Sequence, residues 1–152
     1  MDLCETCAGH DRPEVLLSQA LAQARALAPL LRGAAAALMD ERTRSVARTV
    51  VAMAENRRIA DDRCGGPVQG LVERLDRVIA ASTRPVPHLC VVGAEDDGPV
   101  YETVLRDEID PAMAPLVALR DQARAVVELI ERACDAVAAD EAIFKMRDAM
   151  RR

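Results

Sequence analysis

Two cysteines and a histidine near the amino terminus have a spacing that could bind a metal ion or support redox chemistry. Cys4, Cys7 and His10 form a C-x2-C-x2-H pattern. Two thiolates two residues apart can hold one zinc ion through a tight turn, and a histidine is a common further ligand. The pattern therefore predicts part of a zinc site, which still needs a ligand from elsewhere in the chain.

Three other residues could complete this site. Cys64 follows the predicted end of a helix, and His88 and Cys90 form an H-x-C pair in a Pro-rich and Gly-rich segment. We therefore predict zinc as the cofactor of this chain. The alternative is that the terminal cysteines are reduced thiols without a metal, and that Cys134 fills space as a small apolar residue on the last long helix. The candidate metal ligands are Cys4, Cys7, His10, Cys64, His88 and Cys90.

The segment from Cys4 to His10 also resembles a redox motif. It is similar to the C-x-x-C-x-x-x-H signature of the all-helical peroxidase-reductase family related to alkylhydroperoxidase D and carboxymuconolactone decarboxylase. The resemblance implies a dithiol couple of Cys4 and Cys7, with His10 assisting proton transfer. The chain has one residue fewer before His10 than the family, and the resemblance covers seven residues.

The composition favours a helical, soluble protein. The chain of 152 residues is 51% hydrophobic and 30% charged, and Tyr101 and Phe144 are its two aromatic residues. A core of Leu, Val, Ala, Ile and Met favours helices over sheets. No apolar run is long enough to span a membrane, and the amino terminus lacks the pattern of a signal peptide. We therefore expect a cytoplasmic protein.

Charge and aromatic content argue against nucleic acid as a partner. The net charge is −5, and the acidic residues are interleaved with the basic ones. A phosphate backbone would repel such a surface, and two aromatic residues are too few for a base-stacking platform. We expect a protein partner instead, with a homodimer as one candidate assembly.

Pro, Gly and apolar spacing divide the chain into helices. Pro13 begins the first helix, whose apolar row over 17–38 is interrupted by Pro29 and Gly33, so we expect a break near residue 28. Asp40 is a candidate cap for a second helix that runs to about residue 61. A third helix is predicted over 67–81. A last long helix carries an apolar row over 116–137, and Asp140 could cap a separate terminal turn.

The segments between these helices complete the predicted fold. Residues 82–99 hold several prolines and glycines and predict one long loop, with only 89–92 as an extended piece, and 100–108 predicts a short helix. The predicted fold class is all-α: an antiparallel helical bundle of four main helices, with one or two short extra helices and this long Pro/Gly-rich loop. Residues 1–12 would form a tail or clasp, and 13–152 a single domain.

Complete catalytic motifs are missing from the sequence. It contains no phosphate-binding loop, dinucleotide fingerprint or nucleophile elbow, and neither histidine has the E-x-x-H spacing of a di-iron bundle. We therefore expect a non-enzymatic interaction or regulatory protein, with a zinc or thiol site at its amino terminus. The alternative is a thiol-dependent redox enzyme, or a small-molecule enzyme that uses the Cys4 and Cys7 pair or a pocket under the loop 82–99.

Overall fold

The computed structural model describes residues 12–56 and 66–151. A helical body is followed by two long strands and then by the longest helix of the chain. The elements are α1 Pro13–Arg25, α2 Leu27–Leu30, α3 Ala34–Leu38, α4 Glu41–Glu55, α5 Gly66–Ala81, β1 Thr83–Glu95, β2 Gly98–Ile109, a 3-10 turn at Pro111–Met113 and α6 Ala114–Met150.

Several helix boundaries follow the local chemistry that predicted them. Pro13 occupies the first position of α1, and the Asp40 carboxylate accepts a hydrogen bond of 2.7 Å from the backbone N–H of Thr43 at the start of α4. The predicted break is confirmed, because the first helical stretch is divided into α1, α2 and α3. Gly33 lies between α2 and α3 with a φ of +67°, a conformation that glycine adopts readily.

The hydrophobic core is built along one side of α6. Its buried row confirms the predicted one from residue 116 to residue 133, and α1, α2, α3 and α5 pack against it. In α1 the fully buried residues are Leu16, Ala20 and Ala24. The first two of them lie one residue before Leu17 and Leu21, with which the predicted apolar row over 17–38 begins. The fully buried residues of α6 are Leu116, Leu119, Ala123, Val126, Ile130 and Ala133.

The prediction of an all-α bundle of four main helices is wrong. The segment 82–99, predicted as a loop, contains β1, and the segment 100–108, predicted as a helix, lies within β2. The two strands form an antiparallel hairpin, which we call the arm. Asp96 and Asp97 make its turn, and Val92 lies at an irregularity of the register. Neither strand packs extensively on a helix among the described residues.

The prolines that suggested a loop are compatible with a two-stranded sheet. Each strand of such a sheet has one free edge, and residues two apart direct their backbone N–H groups to the same edge. Pro85 and Pro87 are two apart in β1, so both can occupy outward-facing positions where no ladder hydrogen bond is lost. The strand therefore forms across residues that would interrupt a central strand.

The last helix is longer than predicted. It continues from Ala114 to Met150 without a separate terminal turn, so the predicted cap at Asp140 is wrong. Burial ends at Ala133, and the helix beyond it is largely exposed. No helix within the described ranges combines the length and apolar character needed to cross a bilayer.

The cap at Asp40 makes a testable contribution to stability. The side-chain and backbone hydrogen bonds from Thr43 lower the pKa of Asp40 below its ordinary value of 3.8. Because the pKa of Asp40 is lower in the folded than in the unfolded chain, its ionised carboxylate stabilises the fold above the unfolded-state pKa. This stabilisation is lost as the pH falls through the folded-state pKa. We expect Asp40→Ala to lower the melting temperature at pH 7, with a smaller difference from wild type below about pH 4. Asp40→Asn is the control, because it keeps the cap without the charge and should preserve most of the stability at pH 7.

A pair of substitutions one heptad apart tests where the core ends. Ile130 is fully buried, whereas Val137 is 43% exposed. Ile130→Ala should lower the free energy of unfolding by about 2–5 kcal/mol, because it leaves a cavity in the core. Val137→Ala should change it by less than about 1 kcal/mol, since that side chain is already largely in water. Urea unfolding of both variants measures the difference, and equal losses would contradict the core described here.

Candidate interaction site on the arm and the projecting helix

The predicted metal ligands lie in two different parts of the chain. Cys4, Cys7, His10 and Cys64 are outside the described residues. His88 and Cys90 lie two residues apart on β1, so their side chains share one face of the arm. His88 Nε2 contacts a Glu108 carboxylate oxygen on the same face, and Cys90 is a free, half-buried thiol. Residues 12–56 and 66–151 contain no group of three or more candidate ligands arranged to hold a metal.

The zinc site therefore stays a prediction, and metal analysis tests it. If the site exists, full-length protein purified without added metal should contain about one equivalent of zinc. A variant with both Cys4→Ser and Cys7→Ser should lose this zinc. His88→Ala and Cys90→Ala report separately whether the arm supplies a ligand. Metal-free wild-type protein would contradict the site.

Cys134 differs from its predicted state. It packs half-buried against the core, as expected of a small apolar residue, but it is disulfide-bonded, which the sequence analysis did not predict. The sequence pattern could not indicate the bond, because disulfide connectivity depends on which cysteines the fold brings together.

One face of the arm, which we call the paired face, mixes charged side chains, two of which have polar contacts, with Val86, Cys90 and Val104. Arg84 forms an ion pair with Asp110 at 3.2 Å, and His88 contacts Glu108. Arg106 and Glu102 alternate with less polar neighbours along β2 on this side. The paired face therefore satisfies its polar groups within the arm or in water.

The opposite face of the arm, which we call the apolar face, is exposed. Three directly opposed pairs form its centre: Pro87 with Leu105, Leu89 with Thr103, and Val91 with Tyr101. Exposure is 71% for Leu89, 67% for Leu105 and 55% for Tyr101. Contiguous exposed apolar strips of this kind are uncommon on the surface of monomeric proteins.

The same face of the arm reaches the body, with Asp107 interrupting the apolar residues near the base. Beyond Asp107, Ile109 lies on this face at the end of β2 and also lines a shallow groove of about 400 Å³. The first turns of α6 form the other side of the groove, with Ala114, Val117 and Ala118 as apolar lining residues. Exposed apolar residues therefore lie on both sides of Asp107, on the arm and at its base.

The carboxyl-terminal part of α6 is a second projecting surface. Val137 and Phe144 lie one and two heptads beyond Ile130, so they continue the core row past the end of the body. Phe144 is 72% exposed, and Met150 at the end of the helix is 83% exposed. We call the residues from Val137 to Met150 the helix end.

The sequence carried a signal for the arm. Residues 100–104 read Val-Tyr-Glu-Thr-Val, which is rich in β-branched and aromatic types, and Asp97-Gly98 is a frequent hairpin turn dipeptide. The alternation of apolar and charged residues along β2 has the period of a strand with one polar face. The prolines of β1 outweighed these signals in the sequence-based prediction.

Comparison with known proteins adds no family to this description. No protein-family model matches the chain, and no similar chain was found among the curated proteins or the solved structures.

Proposed function

We propose that this chain is a non-enzymatic interaction protein that binds a protein partner through the apolar face of its arm. The observation that supports this proposal is the exposed strip centred on Leu89, Tyr101 and Leu105, opposite a face that carries charged side chains with polar contacts. Burying one such leucine side chain is worth roughly 1.5–3 kcal/mol before the costs of association. Several of them together can supply a specific protein interface.

The arm also needs support that its own strands do not provide. A single two-stranded hairpin is marginally stable in water, and stable hairpins usually pack a face against another element. Neither strand packs extensively on a helix within residues 12–56 and 66–151. A partner on the apolar face would supply this missing packing and stabilise the arm when it binds.

Site-specific crosslinking tests which face of the arm meets the partner. A photo-crosslinking amino acid at Leu105 should give a discrete crosslinked protein species in cells that produce the full-length chain. The same amino acid at Val104 is the matched control, because Val104 is the adjacent residue on the paired face and is 36% exposed.

The two positions separate binding from nonspecific contact. Crosslinking at residue 105 that exceeds crosslinking at residue 104 supports the proposal. Equal yields at both positions, or no product at residue 105, would contradict it. The mass of the product shows whether the partner is another protein or a second copy of this chain.

A further inference from the structure

The arm and the helix end project from opposite ends of one rod. The arm joins α6 through the short turn that precedes Ala114, and α6 runs for 37 residues to Met150. At 1.5 Å per residue this helix is about 55 Å long. Leu105 and Phe144 both remain largely exposed, so neither projection covers the other within one molecule.

Each of the two projections carries one of the two aromatic residues of the chain. Tyr101 on the apolar face is 55% exposed, and Phe144 on the helix end is 72% exposed. Neither of the chain's two aromatic residues lies in the buried core. Aromatic side chains are enriched where proteins contact one another, because they provide a large apolar area with few rotatable bonds.

The charges of the two projections are complementary. Glu95, Asp96 and Asp97 make the tip of the arm acidic. In the last turns of α6, Lys145, Arg147 and Arg151 outnumber Asp148, whereas the preceding turn carries Asp140 and Glu141. Both groups are exposed. Such opposite charges steer two surfaces together and fix their relative direction.

The spacing lets the aromatic and charged contacts form together. From Tyr101 to Asp97 the strand spans four residues, about 13 Å. From Phe144 to Arg151 the helix rises over seven residues, about 10 Å, and the arginine side chain extends the reach further. A helix end lying along the apolar face, with its last turn toward the tip, would place Phe144 against Tyr101 and its basic residues beside the acidic turn.

We infer that the helix end of one molecule docks on the apolar face of the arm of a second copy, so that the chains associate head to tail. This inference rests on the proposed function and names its partner. The two surfaces in this contact are different, so the contact is heterologous. An open assembly keeps a free arm at one end and a free helix end at the other, and it can grow until a ring closes.

Two single substitutions disable the two sides of this contact separately. Leu105→Glu places a carboxylate in the apolar face, and Phe144→Glu places one in the helix end. Val104→Glu on the paired face and Ala52→Glu on an exposed position of α4, outside both surfaces, are controls with the same change in charge. Circular dichroism of each full-length variant verifies that its fold is retained.

Sedimentation or light scattering over a range of concentrations gives the expected pattern. Wild type and both controls should grow in mass with concentration, whereas each test variant alone should dissociate roughly tenfold or more readily. Mixing the two test variants should give a complex of one copy of each, because the intact arm of one meets the intact helix end of the other. That complex should not grow further, since the remaining arm and helix end both carry an added glutamate.

The outcomes that overturn the inference are distinct from those that overturn the proposed function. Wild type that stays monomeric while residue 105 crosslinks to another protein rejects the second copy and leaves the proposed function standing. Association of wild type without rescue in the mixture indicates a two-fold contact and rejects the head-to-tail arrangement. A monomeric wild type without any crosslink at residue 105 rejects both.

Discussion

Burial of one side of α6 is the constraint on which the rest of the structure depends. From Leu116 to Ala133 this side is covered by α1, α2, α3 and α5. Polar contacts at the margin fix the same packing: Asp76 on α5 lies 3.4 Å from Arg120 and 3.3 Å from Arg124, and the Gln122 amide donates to the backbone carbonyl of Gln23 at 3.3 Å. Ion pairs at the surface or only partly buried contribute little free energy, so the apolar row provides most of the stability and the polar contacts define the register.

The size of the core side chains explains where the aromatic residues lie. Ala20 and Ala24 on α1 and Ala123 and Ala133 on α6 are fully buried, which lets the helices approach closely. A close-packed interface of this kind has no room for a phenyl or phenol ring without displacing backbone, and overpacking costs free energy as a cavity does. Aromatic residues are therefore tolerated only outside the core, and the two in this chain lie on the elements that project from it.

Local signals predicted the helical body well and the arm poorly. The proline at the start of α1, the Asp40 cap and the row over 116–133 each determine a helix within a few residues, so short-range chemistry was sufficient. The arm depends on pairing between residues up to 26 positions apart, such as Thr83 with Ile109, and no local pattern encodes that register. The candidate site was missed for the same reason, because the apolar face exists only when alternate residues of both strands are aligned. His88 and Cys90, predicted as ligands from a loop, lie in a strand, so the secondary structure around them was wrong while their role as ligands stays a prediction.

The division of the arm into two faces links its folding to the binding proposed for it. Contacts such as those of Arg84 with Asp110 and His88 with Glu108 keep the polar groups of one face satisfied, so that face gains little from being covered. The other face loses unfavourable contact with water when a partner covers it, and the hairpin gains the packing that two strands lack by themselves. A ligand that binds only the formed hairpin stabilises it by mass action. If a partner binds in this way, order in the arm and occupation of its apolar face are one equilibrium.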